Sequence, residues 1–251
     1  MSDSTTQSGD WLRRFHPADA APTRLVCFPH AGGSATYYFP VSQALSPAVD
    51  VVAVQYPGRQ DRRGEEPVDD VCKLADILAE VLRPWTDRPF ALFGHSLGAT
   101  LAYEVALRLE ADGVDPVTLF ASGRRAPACH REGSKVYLSD DATLLGTIKE
   151  LSGTSPQLLE DDELMRSLLP AIRADYKAAE TYRRHPGTPL LRCPVITLTG
   201  DADPEVTRAE AEAWESHTAG AFTLHEYAGG HFYLNDHAPA VIARIREALV
   251  R

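Results

Sequence analysis

Ser96 stands in Gly94-His95-Ser96-Leu97-Gly98, between the apolar run Phe90 to Phe93 and a stretch in which Leu101, Val105 and Leu109 recur at helical spacing up to Gly113. A serine on a sharp strand-to-helix turn presents its hydroxyl at the end of a sheet, and the crowding of that turn calls for glycine on both sides. The same five letters also occur in ordinary turns that merely contain a serine; here the flanking strand and helix patterns favour a nucleophile. A serine hydroxyl is weak until a base takes its proton, and the base needs a third group to fix its tautomer and offset its positive charge. Of nine histidines, His231 follows a strand-like run directly, in Ala228-Gly229-Gly230-His231-Phe232, where the glycines allow a tight loop to carry the imidazole back across the sheet end. His225, inside that run, and His237, at the start of the last helix, read as structural.

The carboxylate is sought in Thr199-Gly200-Asp201-Ala202-Asp203-Pro204, again straight after a strand pattern. Asp203 precedes a proline and is pushed towards an extended conformation that suits a projecting side chain. Asp201, beside Gly200, is placed to hydrogen-bond the turn itself. Asp203 is favoured and Asp201 competes with it. A tetrahedral oxyanion would need two backbone N–H donors; Leu97, after the nucleophile, supplies one, and Ala31 in the loop His30-Ala31-Gly32-Gly33 the other. His30 has no acidic or histidine partner at metal-ligand spacing and reads as loop structure.

These groups require strands that end on one side of a sheet. Arg24 to Phe28, Asp50 to Gln55, Phe90 to Phe93, Pro116 to Ser122, Pro194 to Thr199 and Phe222 to Tyr227 read as strands. The Val/Ala series after Asp50 is of the kind buried on both faces of a parallel sheet. Between them, Tyr37 to Leu45, Val71 to Trp85, the stretch after Ser96 and Ala238 to Leu249 carry helical spacing. Alternation of this kind implies an α/β fold, a mostly parallel central sheet with helices on both faces. Trp11 to Phe15 is either a short edge strand or a hydrophobic anchor. The alternation breaks between about 128 and 190, where Asp141 to Leu151 and Asp161 to Tyr182 read as helices. In the second, Leu164, Leu168, Ile172, Tyr176 and Ala179 share a face, Met165 widens it, and Pro170 is expected to bend it. Because this insertion leaves the sheet on the side where Ser96 emerges, it reads as a helical lid, against the alternative of a structural insertion remote from the site.

The 251 residues suffice for one α/β domain with a full core, here 23–251 after a polar leader and N-terminal segment, 1–22. The net charge of −10 argues against nucleic acid as a partner, since phosphate binding depends on clustered lysine and arginine. No apolar run approaches the roughly 20 residues of a membrane span, and the start lacks a basic region and an apolar core, so a cytoplasmic protein is expected. Cys27, Cys72, Cys129 and Cys193 are far apart, which speaks against a disulfide framework or a zinc site; Cys27 and Cys193 are expected to be buried. No cofactor motif is present, and neither cofactor nor metal is expected.

The order Ser, Asp, His along the chain is that of the α/β-hydrolases. Over nearly its whole length the chain resembles a type II thioesterase of polyketide or nonribosomal peptide biosynthesis: in Trp11 to Pro17, Cys27-Phe28-Pro29-His30-Ala31-Gly32-Gly33-Ser34-Ala35, Gln55-Tyr56-Pro57-Gly58-Arg59, the serine motif, Ser122-Gly123-Arg124-Arg125-Ala126-Pro127, Gly200 to Pro204 and Gly229 to Phe232. The resemblance implies a triad of Ser96, Asp203 and His231. It also implies hydrolysis of aberrant or short acyl groups from the phosphopantetheine arm of acyl carrier or peptidyl carrier domains, through an acyl-serine intermediate. Carrier domains are generally acidic, so Arg59, Arg62, Arg63, Arg124 and Arg125 are named as docking groups; a monomer is favoured. Other readings on the same residues are a carboxylesterase or lipase, an acyltransferase, and a hydrolase fold kept only for binding.

Overall fold

The computed structural model describes residues 10–131, 135–151 and 162–250; the side chains of 162–164, Leu164 of the expected lid face among them, and most of the polar leader lie outside the described residues. In chain order the regular elements are β1 (Leu12–Arg13), β2 (Thr23–Phe28), α1 (Phe39–Leu45), β3 (Val49–Val54), α2 (Val71–Leu82), β4 (Phe90–His95) and α3 (Leu97–Ala111). There follow β5 (Leu119–Ser122), α4 (Asp141–Leu151), α5 (Asp162–Thr181), β6 (Val195–Gly200), α6 (Arg208–Glu212), β7 (Phe222–Tyr227), α7 (Tyr233–Asp236) and α8 (Ala238–Leu249).

Every residue of β2, β3 and β4 is buried, which requires cover on both faces of the sheet. The strands run in the order β1-β3-β2-β4-β5-β6-β7, parallel throughout except for β1 against β3. One face carries a core built with α2 and α3, around Leu74, Leu78, Leu101 and Val105. The other is closed by α1 and α8 through Leu45, Val241, Ile245 and Leu249. This is the covered, mostly parallel sheet that the alternating pattern implies, consistent with the α/β-hydrolase fold expected from the order Ser, Asp, His. Cys27 and Cys193 lie in these cores, as expected.

Trp11 to Phe15 contributes an edge strand: Leu12 pairs with Val54, and the Gln55 amide donates to the Trp11 carbonyl at 2.7 Å. Two of the expected helices give way to 3₁₀ form beside prolines. Tyr37 to Leu45 divides into a 3₁₀ turn, Ala35–Tyr38, and α1, which has Pro40 in its first turn. Helix α2 ends at Leu82, and Arg83–Trp85, containing Pro84, tightens into 3₁₀ form. Helix α6 was not expected; its five residues are too few for periodicity to register, although Thr207 and Glu210 close a reciprocal capping box.

The insertion between β5 and β6 carries α4 and α5, packed on a small core of their own through Leu144, Ile148, Met165, Leu169 and Ile172. Pro170 lies inside α5. The C-terminal end of this unit is tied to the sheet domain: the Tyr182 hydroxyl donates to Glu104 at 2.6 Å, and Lys177 pairs with Asp69 across the surface.

Candidate active site

Ser96 occupies the position between β4 and α3 with φ 55° and ψ −120°, a conformation that non-glycine residues rarely adopt. Its amide donates to the Ser122 carbonyl at 2.8 Å, tying the turn to the end of β5. The flanking glycines are needed for closeness. A Cβ on Gly94 would overlap the Gly98 carbonyl, and one on Gly98 would overlap the carbonyl of Phe28 at the end of β2. The strained turn and its two glycines are the local structure expected of an exposed nucleophile.

His231, in the loop after β7, and Asp203, in the loop after β6, form a buried pair. Nδ1 of the imidazole lies 2.9 Å from one carboxylate oxygen and 3.1 Å from the other. The Asp203 side chain has no exposure to solvent and that of His231 is 4% exposed. A second bond at 2.8 Å, from the Glu205 amide to Asp203, holds the carboxylate in place. Asp201 is engaged elsewhere: it accepts from the Gly229 amide at 2.8 Å and so pins the loop that carries His231. Ser96 and His231 line the same cavity of about 430 Å³, together with Ala31 and Leu97.

Two further histidines crowd this centre. The His95 ring lies 5.0 Å from that of His231, and His30 packs edge-on against Phe232 and His95. Burial, with His231 adding to it, lowers the His30 pKa to about 3 and carries that of His95 well below the usual histidine range. Both rings are therefore neutral near pH 7, and so low an affinity for a proton makes each a poor general base. His95 Nδ1 is 2.9 Å from the Ser122 hydroxyl, which in turn lies 2.7 Å from the Tyr233 hydroxyl.

The loop that carries Ala31 is held on several sides. Tyr38 and Tyr56 donate to the carbonyls of Phe28 and Pro29, and Gln55 accepts from the Ala35 amide at 2.9 Å. Gln55 and Tyr56 stand in the turn after β3, but their part in shaping this loop has no local signal, because the partners lie 20 and 27 residues away.

The five arginines named as docking groups differ in exposure and surroundings. Arg59 is 3% exposed and ion-paired with buried Asp175 of α5, and Arg62 is 6% exposed and forked onto Glu65 beneath Trp11. Neither is open to a carrier domain, because both guanidinium groups are buried within the fold. Arg63 is exposed. Arg124 and Arg125 line the cavity beside Ser96, and burial, with Arg125 adding repulsion, lowers the Arg124 pKa to about 10.

Fold, strained serine and buried His–Asp pair together define an α/β-hydrolase. Comparison with known proteins narrows the class: the family described as Thioesterase domain matches residues 23–249, and the chain belongs to that family. It is 51% identical over 231 residues to the thioesterase PikA5 of Streptomyces venezuelae, covering 91% of this chain and 82% of that protein. To the probable cadicidin biosynthesis thioesterase of Streptomyces griseus it is 50% identical over 95% of this chain, spanning 66% of that protein's length. Among solved structures, the type II thioesterase BorB from the borrelidin biosynthetic cluster superposes with a TM-score of 0.90 at 53% identity, over 95% of this chain and 97% of that one.

Proposed function

We propose that the protein is an editing thioesterase that removes acyl groups from the phosphopantetheine arm of acyl carrier or peptidyl carrier domains. Ser96 Oγ attacks the thioester carbonyl while His231 Nε2 takes its proton; the oxyanion of the tetrahedral intermediate is received by the Ala31 and Leu97 amides. The C–S bond then breaks, and His231 returns the proton to the departing thiolate. Water then adds to the acyl-serine as the same imidazole takes its proton; the C–O bond to Ser96 breaks, His231 passes that proton to the departing Ser96 Oγ, and the carboxylic acid and free serine hydroxyl result. Asp203 holds Nδ1–H and offsets the charge of the imidazolium. The observation that carries this reading is the buried His231–Asp203 pair facing the Ser96 cavity, supported by similarity to thioesterases of biosynthetic clusters.

The catalytic unit is one hydrolase domain, 23–251, with a lid insertion of about 128–190. Its partners are carrier domains, met as a monomer in the cytoplasm; no helix among the described residues is long and apolar enough to cross a membrane. Of the five arginines, Arg63 remains for docking at the surface, and Arg124 and Arg125 act within the cavity on the arm and its acyl group. The test is hydrolysis of a panel of acyl-loaded carrier domains beside simple oxygen esters. The expected result is preference for the carrier thioesters, with Ser96→Ala inactive on all of them. A strong preference for the esters, or unchanged turnover by Ser96→Ala, overturns the reading.

A further inference from the structure

The loop between β2 and α1 begins with a tight turn. The Gly33 amide donates to the His30 carbonyl at 2.9 Å, and Gly32 has φ +75°, the combination that defines a type II turn with Ala31 and Gly32 at its centre. In such a turn the central peptide can rotate towards the type I arrangement, reversing its N–H and C=O. Here the N–H of that peptide is held: the Gly32 amide donates to Asp175 Oδ2 at 2.7 Å. Asp175 belongs to α5, 143 residues away in sequence, and is itself paired with Arg59 from the turn after β3. The side chains of Arg59 and Asp175 are 4% and 2% exposed. The helix sits directly on both turns, because a Cβ on Gly32 would come within 3.1 Å of Ile172, and one on Gly58 within 3.1 Å of Ala171. Burial pushes the Asp175 pKa up, and the two groups that oppose this are the Arg59 guanidinium and the amide of the peptide that follows Ala31.

We propose that Asp175 is a positioning residue for the oxyanion hole: the lid helix, through this carboxylate, anchors the Ala31–Gly32 peptide and with it the Ala31 Cα, and so holds in place the Ala31 N–H that the preceding peptide carries towards the reacting carbonyl. Gln55 holds the far end of the same loop through the Ala35 amide, so Asp175 secures the end nearest the chemistry. The inference rests on Ser96 as nucleophile and Ala31 as donor in the function proposed above. It makes the seating of α5 a condition for transition-state stabilisation, beyond serving as a cover.

The test uses the full chain and a small N-acetylcysteamine thioester, so it reads the oxyanion hole whether or not carrier domains are the natural substrate. Loss of wild-type turnover on carriers alone would count against the proposed function and leave this comparison intact. Asp175→Ala strands Arg59 and can fail to fold, so the decisive pair removes both charges: Arg59→Met with Asp175→Leu, and Arg59→Met with Asp175→Asn. Buried ion pairs replaced by apolar groups of similar volume generally keep the fold. The Leu variant lacks an acceptor for the Gly32 amide. Its kcat should fall on the order of 10- to 100-fold, short of the roughly 10²- to 10³-fold that follows outright loss of an oxyanion donor. KM should stay within about twofold, the signature of an interaction made only in the transition state. The Asn variant keeps an acceptor oxygen and should recover kcat to within about threefold of wild type. Affinity for an alkyl boronic acid, which forms a tetrahedral adduct on the serine, should fall with kcat in the Leu variant, whereas that for a non-hydrolysable amide analogue should not. Equal kcat in the Leu and Asn variants, or a parallel loss of affinity for both ligands, overturns the proposal.

Discussion

Asp201 and Asp203 lie two residues apart and both meet the loop that carries His231, but they make different contacts there. Asp203 faces the imidazole with both oxygens within 3.1 Å, whereas Asp201 faces the Gly229 amide. Asp203→Asn should therefore present the wrong hydrogen-bonding partner to Nδ1 and lower kcat by about 10⁴-fold. Asp201→Asn leaves an acceptor for the Gly229 amide and should cost less than about tenfold, a loss of geometry in the loop. Steady-state kinetics on one thioester separates the two, and the reverse ranking would reassign the triad. The preference for Asp203 was legible because the following proline biases its backbone outward. Asp175 was not legible, since nothing in its surroundings in α5 distinguishes it from any acidic residue on a helix, and its partners come from two distant turns.

Among the elements, the turn at Ser96 explains its glycines by distance. Gly98 lies in α3 and is absent from the positive-φ residues, yet a Cβ there would overlap the Phe28 carbonyl of the neighbouring strand. Gly98→Ala must push α3 away from the end of β2. The expected cost is about 1–3 kcal/mol, as for other overpacked cores, read as a lower urea midpoint, with activity reduced because Ser96 and the Ala31 loop shift relative to each other. Full stability in this variant would show that the turn relaxes without strain. Most elements were readable from period alone: β7, α4 and α8 begin and end where the alternating or helical pattern does. The exceptions have physical causes. Prolines convert flanking turns to 3₁₀ form, and α6 is defined by its capping box rather than by a buried stripe.

For the molecule as a whole, buried histidines set the acid side of stability. His217 is 2% exposed, packed edge-on against Tyr103 and Trp214, with neither ring nitrogen hydrogen-bonded, and burial lowers its pKa to about 4. His30 and His95 are depressed in the same direction. In each case the unfolded chain takes up a proton near pH 6.5 while the folded chain does not. Stability is thus fully present above about pH 6.5 and is lost as pH falls towards the folded-state values. One such histidine adds a slope of up to about 1.4 kcal/mol per pH unit in that window. Urea midpoints from pH 7 to pH 4 should decline, and His217→Phe, which keeps the ring and removes the orphaned nitrogens, should flatten the decline between about pH 6.5 and 4. An unchanged slope in this variant would place the acid sensitivity elsewhere.

The alternation of strands and helices, the serine between two glycines, and the His231 and Asp203 loops are readable along the chain, because each is written in adjacent residues: a period, a turn or a proline. The rest follows from which distant groups come to share one volume. Arg59 and Arg62 turn inward since buried carboxyl or carbonyl partners lie within reach, Arg124 and Arg125 enter the cavity wall, and Asp175 comes to rest on the Gly32 amide. Charge and type are local properties of a residue, whereas burial and partnership arise only when the chain closes on itself.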